Sequence, residues 1–102
     1  MSEWTKDPTT GKEWGPISEK EMMWNEAQKW AKEHGGRVAK RWELIQLCDD
    51  GLREIVDTML GKKFWSSFSG NNTVVAWYVN FNNGYVGSDY KANNKFARCV
   101  RP

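Results

Sequence analysis

Phe68, Ser69, Asn71 and Asn72, followed by Tyr85, Ser88, Asp89, Tyr90, Asn93 and Asn94, are the side chains in this chain whose types and spacing suit contact chemistry. Tyrosine offers a rigid amphipathic ring, and Ser, Asn, Asp and Gly offer adaptable hydrogen bonds, the mixture that dominates antibody loops. The same polar types also favour turns for backbone reasons alone. Their placement between hydrophobic stretches points to a displayed binding rim, and these ten residues are the candidate ligand contacts.

Catalytic chemistry has fewer parts. His34 is the single histidine, placed at the end of a helical pattern where the helix dipole favours a cation, so no Ser/His/Asp triad and no His-rich metal site can be assembled. Asp49 and Asp50 are adjacent at a helix boundary, where capping accounts for them. Asp89 with Asn93 and Asn94 could bring some oxygens together, short of what a calcium ion requires. The expectation is a protein without enzymatic activity and without a cofactor or metal.

Cys48 and Cys99 match no zinc-ligand spacing. Two outcomes stay open: buried free thiols, or a disulfide closing a loop of about 50 residues, worth roughly 4 kcal/mol in the chain-entropy picture. Only the second would imply an oxidising compartment.

These residues need a scaffold, and 102 residues suffice for one core but not two. A net charge of +2 is too small for a dedicated nucleic-acid binder, so no nucleic-acid partner is expected. No apolar run reaches the roughly 20 residues of a membrane span, and no signal peptide stands near Met1. Lys62, Lys63, Lys91, Lys95, Arg98 and Arg101 gather in the C-terminal half, as a solvated face or as partners for an anionic glycan. Seven Trp in so short a chain must mostly serve the core, with some left for binding.

Along the chain, "EWTKDPTTGKEWGP" reads as an N-terminal strand pair or an ordered loop. In "ISEKEMMWNEAQKWAKEHGG", Ser18 and Glu21 form a capping box, Ile17 and Met22 a hydrophobic staple, and Met23, Ala27, Trp30, Ala31 and His34 one helical stripe. "RVA" is a short strand or connector. "KRWELIQLCDD" predicts a second helix with Trp42, Ile45 and Cys48 or Asp49 along one side, and "LREIVDTMLG" resumes in helical register after Asp50 as cap. "TVVAWYVNF" alternates as a central strand, Asn83-Gly84 signals a two-residue type I′ hairpin turn, "YV" begins the return strand, "GSDYKANN" is a polar loop, and "KFARCVR" is the last strand. The sum is an α+β domain over residues 1–102 with two main helices packed on a small antiparallel sheet.

"DPTTGKEW", "WNEAQKWAKEHGG", "WELIQL", "FWSS", "AWYVNFNNGYV" and "FARCVR", in this order, resemble the Lcl C-terminal-like domain family over nearly the whole chain. The resemblance implies a C-type lectin-like fold and adhesion or ligand capture through loops between late strands. It implies a protein or glycan ligand at a bacterial cell surface, in secretion or on a phage virion. The group includes variable proteins of diversity-generating retroelements, whose Asn-type codons near the C-terminus are altered. An oligomeric head domain is the alternative, and a formylglycine-generating-enzyme-like remnant a more distant one. "RVAKRWEL" replaces the family's "RLPT"-like stretch. The lectin-like cysteine of the first helix is absent, which leaves Cys48 as the one intrachain partner for Cys99. The "EPN", "QPD" and "WND" motifs of calcium-dependent sugar binding are absent as well.

Overall fold

The computed structural model describes residues 4–70 and 73–102. Of the two N-terminal readings the structure has the strand pair, β1 (Thr5–Asp7) with β2 (Lys12–Ile17). Helix α1 (Trp24–Glu33), strand β3 (Arg37–Val38), helix α2 (Arg41–Asp50) and the single turn α3 (Arg53–Val56) follow. Strands β4 (Lys63–Trp65), β5 (Val75–Asn80), β6 (Tyr85–Tyr90) and β7 (Arg98–Arg101) complete the α+β order. The strands make two antiparallel sheets rather than one. The first runs β1-β2-β7-β3, bringing the two ends of the chain together, and the second runs β4-β5-β6.

Two apolar clusters correspond to the two sides of the small sheet. Phe64 and Val79, cross-strand neighbours, pack with Trp14, Leu44, Leu47, Ile55, Met59 and Phe81. Trp65 and Ala76 project to the other side and meet Ala27, Ala31, Val38, Ala97 and Cys99. Packing on both sides fits the apolar side chains at every position of β5 from Val75 to Val79.

The segment Lys95–Phe96 joins the sheets. Trp65 N–H donates to Phe96 O (3.0 Å) and Phe96 N–H to Lys63 O (3.0 Å), while Met22 and Lys95 exchange backbone hydrogen bonds of 2.8 and 3.0 Å. This pairing displaces the predicted start of α1. Ser18 does not cap: it is buried, its N–H donates to Ala97 O (2.9 Å) and its Oγ accepts Ala97 N–H (3.0 Å). The helix instead begins at Trp24, where Glu26 Oε1 accepts the Met23 N–H (3.0 Å). Backbone pairing at Ile17, Ser18 and Met22 thus outcompetes the local capping signal. Ala27 and Ala31 are buried as expected, whereas Met23 and His34, at the ends of the predicted stripe, are exposed.

The predicted apolar side of α2 is also corrected. Trp42 and Ile45 face outward, and the buried positions are Leu44, Leu47 and, unexpectedly, Glu43. Arg37 grips the Glu43 carboxylate with both guanidinium arms (2.8 and 2.9 Å), and Lys40 N–H donates to it at 2.7 Å. A carboxylate so satisfied can occupy the interior. Asp50 belongs to α2 and caps nothing, since α3 starts after Leu52 without a side-chain cap.

Arg98, expected in a basic cluster, is buried. Its Nε donates to Gly15 O (2.9 Å) and one terminal nitrogen to Thr58 Oγ1 (2.8 Å), tying β2 and β7 to the turn after α3. Burial pushes its pKa down to about 10. Cys48 and Cys99 are both free thiols. Cys99 Sγ donates to Ala31 O (3.3 Å) inside one apolar cluster, while Cys48 packs against the other, which is why no bridge joins them.

Burial pushes Glu43 upward, but the Arg37 guanidinium and the Lys40 N–H outweigh it and hold the carboxyl below its ordinary value of 4.5. A depressed folded-state pKa contributes stability above the unfolded value and loses it as pH falls through the folded value. Urea unfolding should therefore show stability falling from about pH 4.5 downward. Glu43→Gln should flatten part of that slope and cost about 2 kcal/mol at pH 7, because Arg37 loses an ionic partner while staying partly in water. An unchanged slope and midpoint would refute this role.

Candidate functional site

The site begins at Ser66, a buried residue just after β4. Its hydroxyl donates to Trp77 O (2.9 Å) and accepts the Phe68 N–H (3.2 Å), and its own N–H also donates to Trp77 O (2.9 Å). Its carbonyl accepts the Trp24 indole N–H (2.8 Å). Trp77 N–H then donates to Phe68 O (3.0 Å), and Ser67 N–H to Ala39 O (2.8 Å). The loop carrying Ser67 and Phe68 is thereby stitched on one side to β5 and on the other to the residues that lead into α2.

Those residues place Arg41, at the first position of α2, over two aromatic rings. Its guanidinium carbon lies 4.3 Å from the Phe68 ring centroid and 4.8 Å from that of Trp77. Stacking on aromatic faces is favourable for a guanidinium and leaves its N–H groups directed outward in the plane. Among the described residues, no side chain or backbone oxygen accepts a hydrogen bond from Arg41 and no carboxylate pairs with it. Lys40, Arg41, Trp42, Ser67 and Phe68 line a cavity of about 390 Å³ at this point. Trp42 is 53% exposed and Phe68 41%, so two large rings meet solvent beside two cations.

Strand parity sorts the remaining candidates. β6 runs unbroken from Tyr85 to Tyr90, so Ser88, Asp89 and Tyr90 are strand residues and not part of a loop. Cross-strand pairing sets Tyr90 against Val75 and Ser88 against Trp77, which places both on the Arg41 side. Tyr85 against Asn80, Gly87 against Tyr78 and Asp89 against Ala76 lie on the opposite side. The expected single contact face is thus two faces. The turn before β6 differs as well: Asn80 pairs with Tyr85, leaving a four-residue loop in which Gly84 alone takes positive φ (78°), with side chains of Asn80 and Asn83 accepting N–H groups of Asn82 and Tyr85. The two-residue type I′ turn is not formed.

On the far side, Tyr85 lies over Gly87, where a Cβ would strike its ring, and beside Tyr78 with centroids 6.3 Å apart. Asp89 is consumed by structure. One oxygen meets Lys95 Nζ at 2.7 Å, and the other accepts the Tyr90 N–H (2.8 Å) and Asn93 Nδ2 (2.9 Å). Hydrogen bonding from Lys95 in first place holds the Asp89 carboxyl below its usual range, against the effect of burial. Lys95 itself is buried, its ammonium 4.3 Å from the Tyr78 centroid and 5.2 Å from that of Trp65. Asn93 therefore braces a turn, and Asn94 is exposed beside it. Ser69 is half-buried next to Phe68, and Asn71 and Asn72 lie outside the described residues.

The remaining cations do not form one patch. Arg101 meets Glu13 (3.2 Å) and covers Trp4, Lys91 covers Trp24, Lys62 faces Phe96 and Lys63 faces Tyr78. Arg41 and Trp42 are the residues that sequence reasoning missed. The signal available was a cation beside an aromatic at the start of a helix, and it was masked by assigning Trp42 to the core.

The family model of the Lcl C-terminal domain matches residues 3–101, and the chain belongs to that family. No curated protein matches it significantly.

Asp89→Ala should lower stability by about 2 kcal/mol in urea unfolding, since it strands a buried ammonium, whereas Asn94→Ala should stay within about 0.5 kcal/mol. Equal, negligible effects would return Asp89 to the list of free contact residues.

Proposed function

We propose that this domain is a non-catalytic ligand-binding module of C-type lectin-like build, acting as an adhesin or receptor-binding element for a protein or glycan. The reading rests above all on Arg41, stacked on Phe68 and Trp77 with its hydrogen-bonding edge unused among the described residues. A buried framework of hydrogen bonds that ends in an unsatisfied cation and exposed rings is preorganised for a partner. Phe68, Ser69, Trp42, Ser88 and Tyr90 complete the contact rim on this side of the small sheet. His34, hydrogen-bonded to Trp30 O (2.8 Å) and stacked on Trp30, has a structural explanation, which supports a role without catalysis.

Likeness to the variable proteins of diversity-generating retroelements extends the proposal: Ser88 and Tyr90 stand on an edge strand whose side chains on this face can change without disturbing Gly87 or Asp89. Assembly into oligomers is the second reading, favoured by Trp42 and Ile45, which lie three residues apart on α2 and are both exposed.

A glycan and cell-lysate binding screen tests both. Arg41→Ala and Phe68→Ala should each weaken capture about tenfold or more with unchanged circular dichroism, and Tyr85→Ala, on the other face, should not. Capture that survives both substitutions sinks the assignment of the site. A fall in particle mass by light scattering on Trp42→Ala would favour assembly.

A further inference from the structure

Trp4 lies across the first sheet on the side where Cys99 is buried. It stands directly ahead of β1, and it shares the side of Glu13 and Gly15 because its neighbour Thr5 pairs with Trp14, which faces the other way. Two glycines make room for its ring. A Cβ on Gly15 would stand 2.7 Å from Cζ3 and 2.8 Å from Cε3 and Cη2 of the indole. A Cβ on Gly36 would stand 2.9 Å from the same Cη2 and 2.8 Å from Cys99 Sγ, so ring and thiol close on one point. The indole also carries the Arg101 guanidinium, whose carbon is 4.0 Å from the ring centroid and whose Nε meets Glu13 at 3.2 Å.

Helix α1 covers the rest of this side. Cys99 Sγ donates to Ala31 O (3.3 Å), and Ala27, Ala31 and Val38 share the apolar cluster of the thiol, against which Trp4 packs. The two parts of this cover are held with different firmness. Helix α1 has ten residues and buries Ala27 and Ala31. Trp4 adjoins β1, a strand of three residues at the edge of the sheet that pairs with β2. A short edge strand belongs to the low end of local stability, so its pairing can part while the apolar clusters stay packed. With the indole seated, burial pushes the Cys99 thiol above its ordinary value, and the reactive thiolate is scarce.

We infer that Trp4 is a lid over Cys99, opened by local release of β1 while the rest of the domain stays folded, and that this motion sets the reactivity of the thiol. Because ring and sulfur share one point, a group attached to Sγ would take the place of the indole and hold the lid open. The position of Trp4 and the chemical state of Cys99 are thereby coupled.

Alkylation of the full chain by iodoacetamide, with peptide mapping by mass spectrometry to separate Cys99 from Cys48, provides the test. Below the urea unfolding transition, Cys99 should react slowly and at a rate almost independent of urea, the mark of a local opening. Trp4→Ala removes the lid, whereas Gly15→Ala keeps the indole and pushes it off its seat. Each should speed the reaction of Cys99 by about tenfold or more and leave that of Cys48 unchanged. Asp89→Ala, which loosens the other sheet, is the control for a general loss of stability and should leave Cys99 as slow as before. A Cys99 rate unmoved by Trp4→Ala or by Gly15→Ala overturns the inference. So does equal acceleration of both thiols, a Cys99 rate in Asp89→Ala as high as in Trp4→Ala, or a rate that climbs with urea in step with global unfolding.

Discussion

Everything near the site depends on keeping the polar atoms of one buried serine satisfied. Ser66 sits where β4 ends, with no access to water, and its amide, hydroxyl and carbonyl are bound to Trp77, Phe68 and Trp24. In an interior that gives little screening, each of these bonds would be costly to leave unmade, so the three partners have little freedom to move apart. Trp65 adds the reciprocal tie, its indole N–H donating to Met22 O (2.8 Å) while Trp24 reaches back to Ser66. The start of α1, the end of β4 and the middle of β5 are thereby locked into one frame. Phe68 and Trp77 inherit their positions from that frame, and Arg41 inherits its position from them.

A second constraint is the pleat of the small sheet. Because side chains alternate across a strand, an unbroken β6 cannot present Tyr85 and Tyr90 to the same partner. The two sides have diverged in use. One holds a buried ion pair and a tyrosine pair that fasten the turn before β7; the other holds an aromatic-stacked cation facing a cavity. Polar residues with similar composition thus serve opposite ends, and Asp89 illustrates the first case as Ser88 does the second.

Charged residues inside the protein account for several differences between pattern and structure. Glu43, Lys95 and Arg98 all belong to types that periodicity assigns to the surface, and all three are buried, Glu43 and Lys95 with charged partners six residues away and Arg98 with acceptors far along the chain. Glu43 in the interior rotates the apparent apolar side of α2, which is why Trp42 and Ile45 seemed to belong to the core. Among the described residues Arg98 meets no carboxylate, and three oxygen acceptors, Gly15 O, Ile55 O and Thr58 Oγ1, stand in for one. Interaction with such partners offsets desolvation only when geometry is good, so these sites also specify how the elements must be arranged.

The chain order of strands and helices, the α+β class, the free rims of Phe68, Tyr85 and Tyr90, and membership of the Lcl C-terminal domain family were all legible in the linear pattern, because periodicity, turn chemistry and motif order are local. The division into two sheets, the late start of α1, the full length of β6 and the burial of Glu43 and Arg98 were not. Each is decided by pairing or desolvation in the folded chain, in several cases between segments far apart in sequence, as Ser18 shows by bonding to Ala97 instead of capping a helix. The Arg41 stack belongs to the same class: a cation, a loop phenylalanine and a strand tryptophan carry no mutual signal along the chain, and only the folded geometry brings their π-faces and charge together.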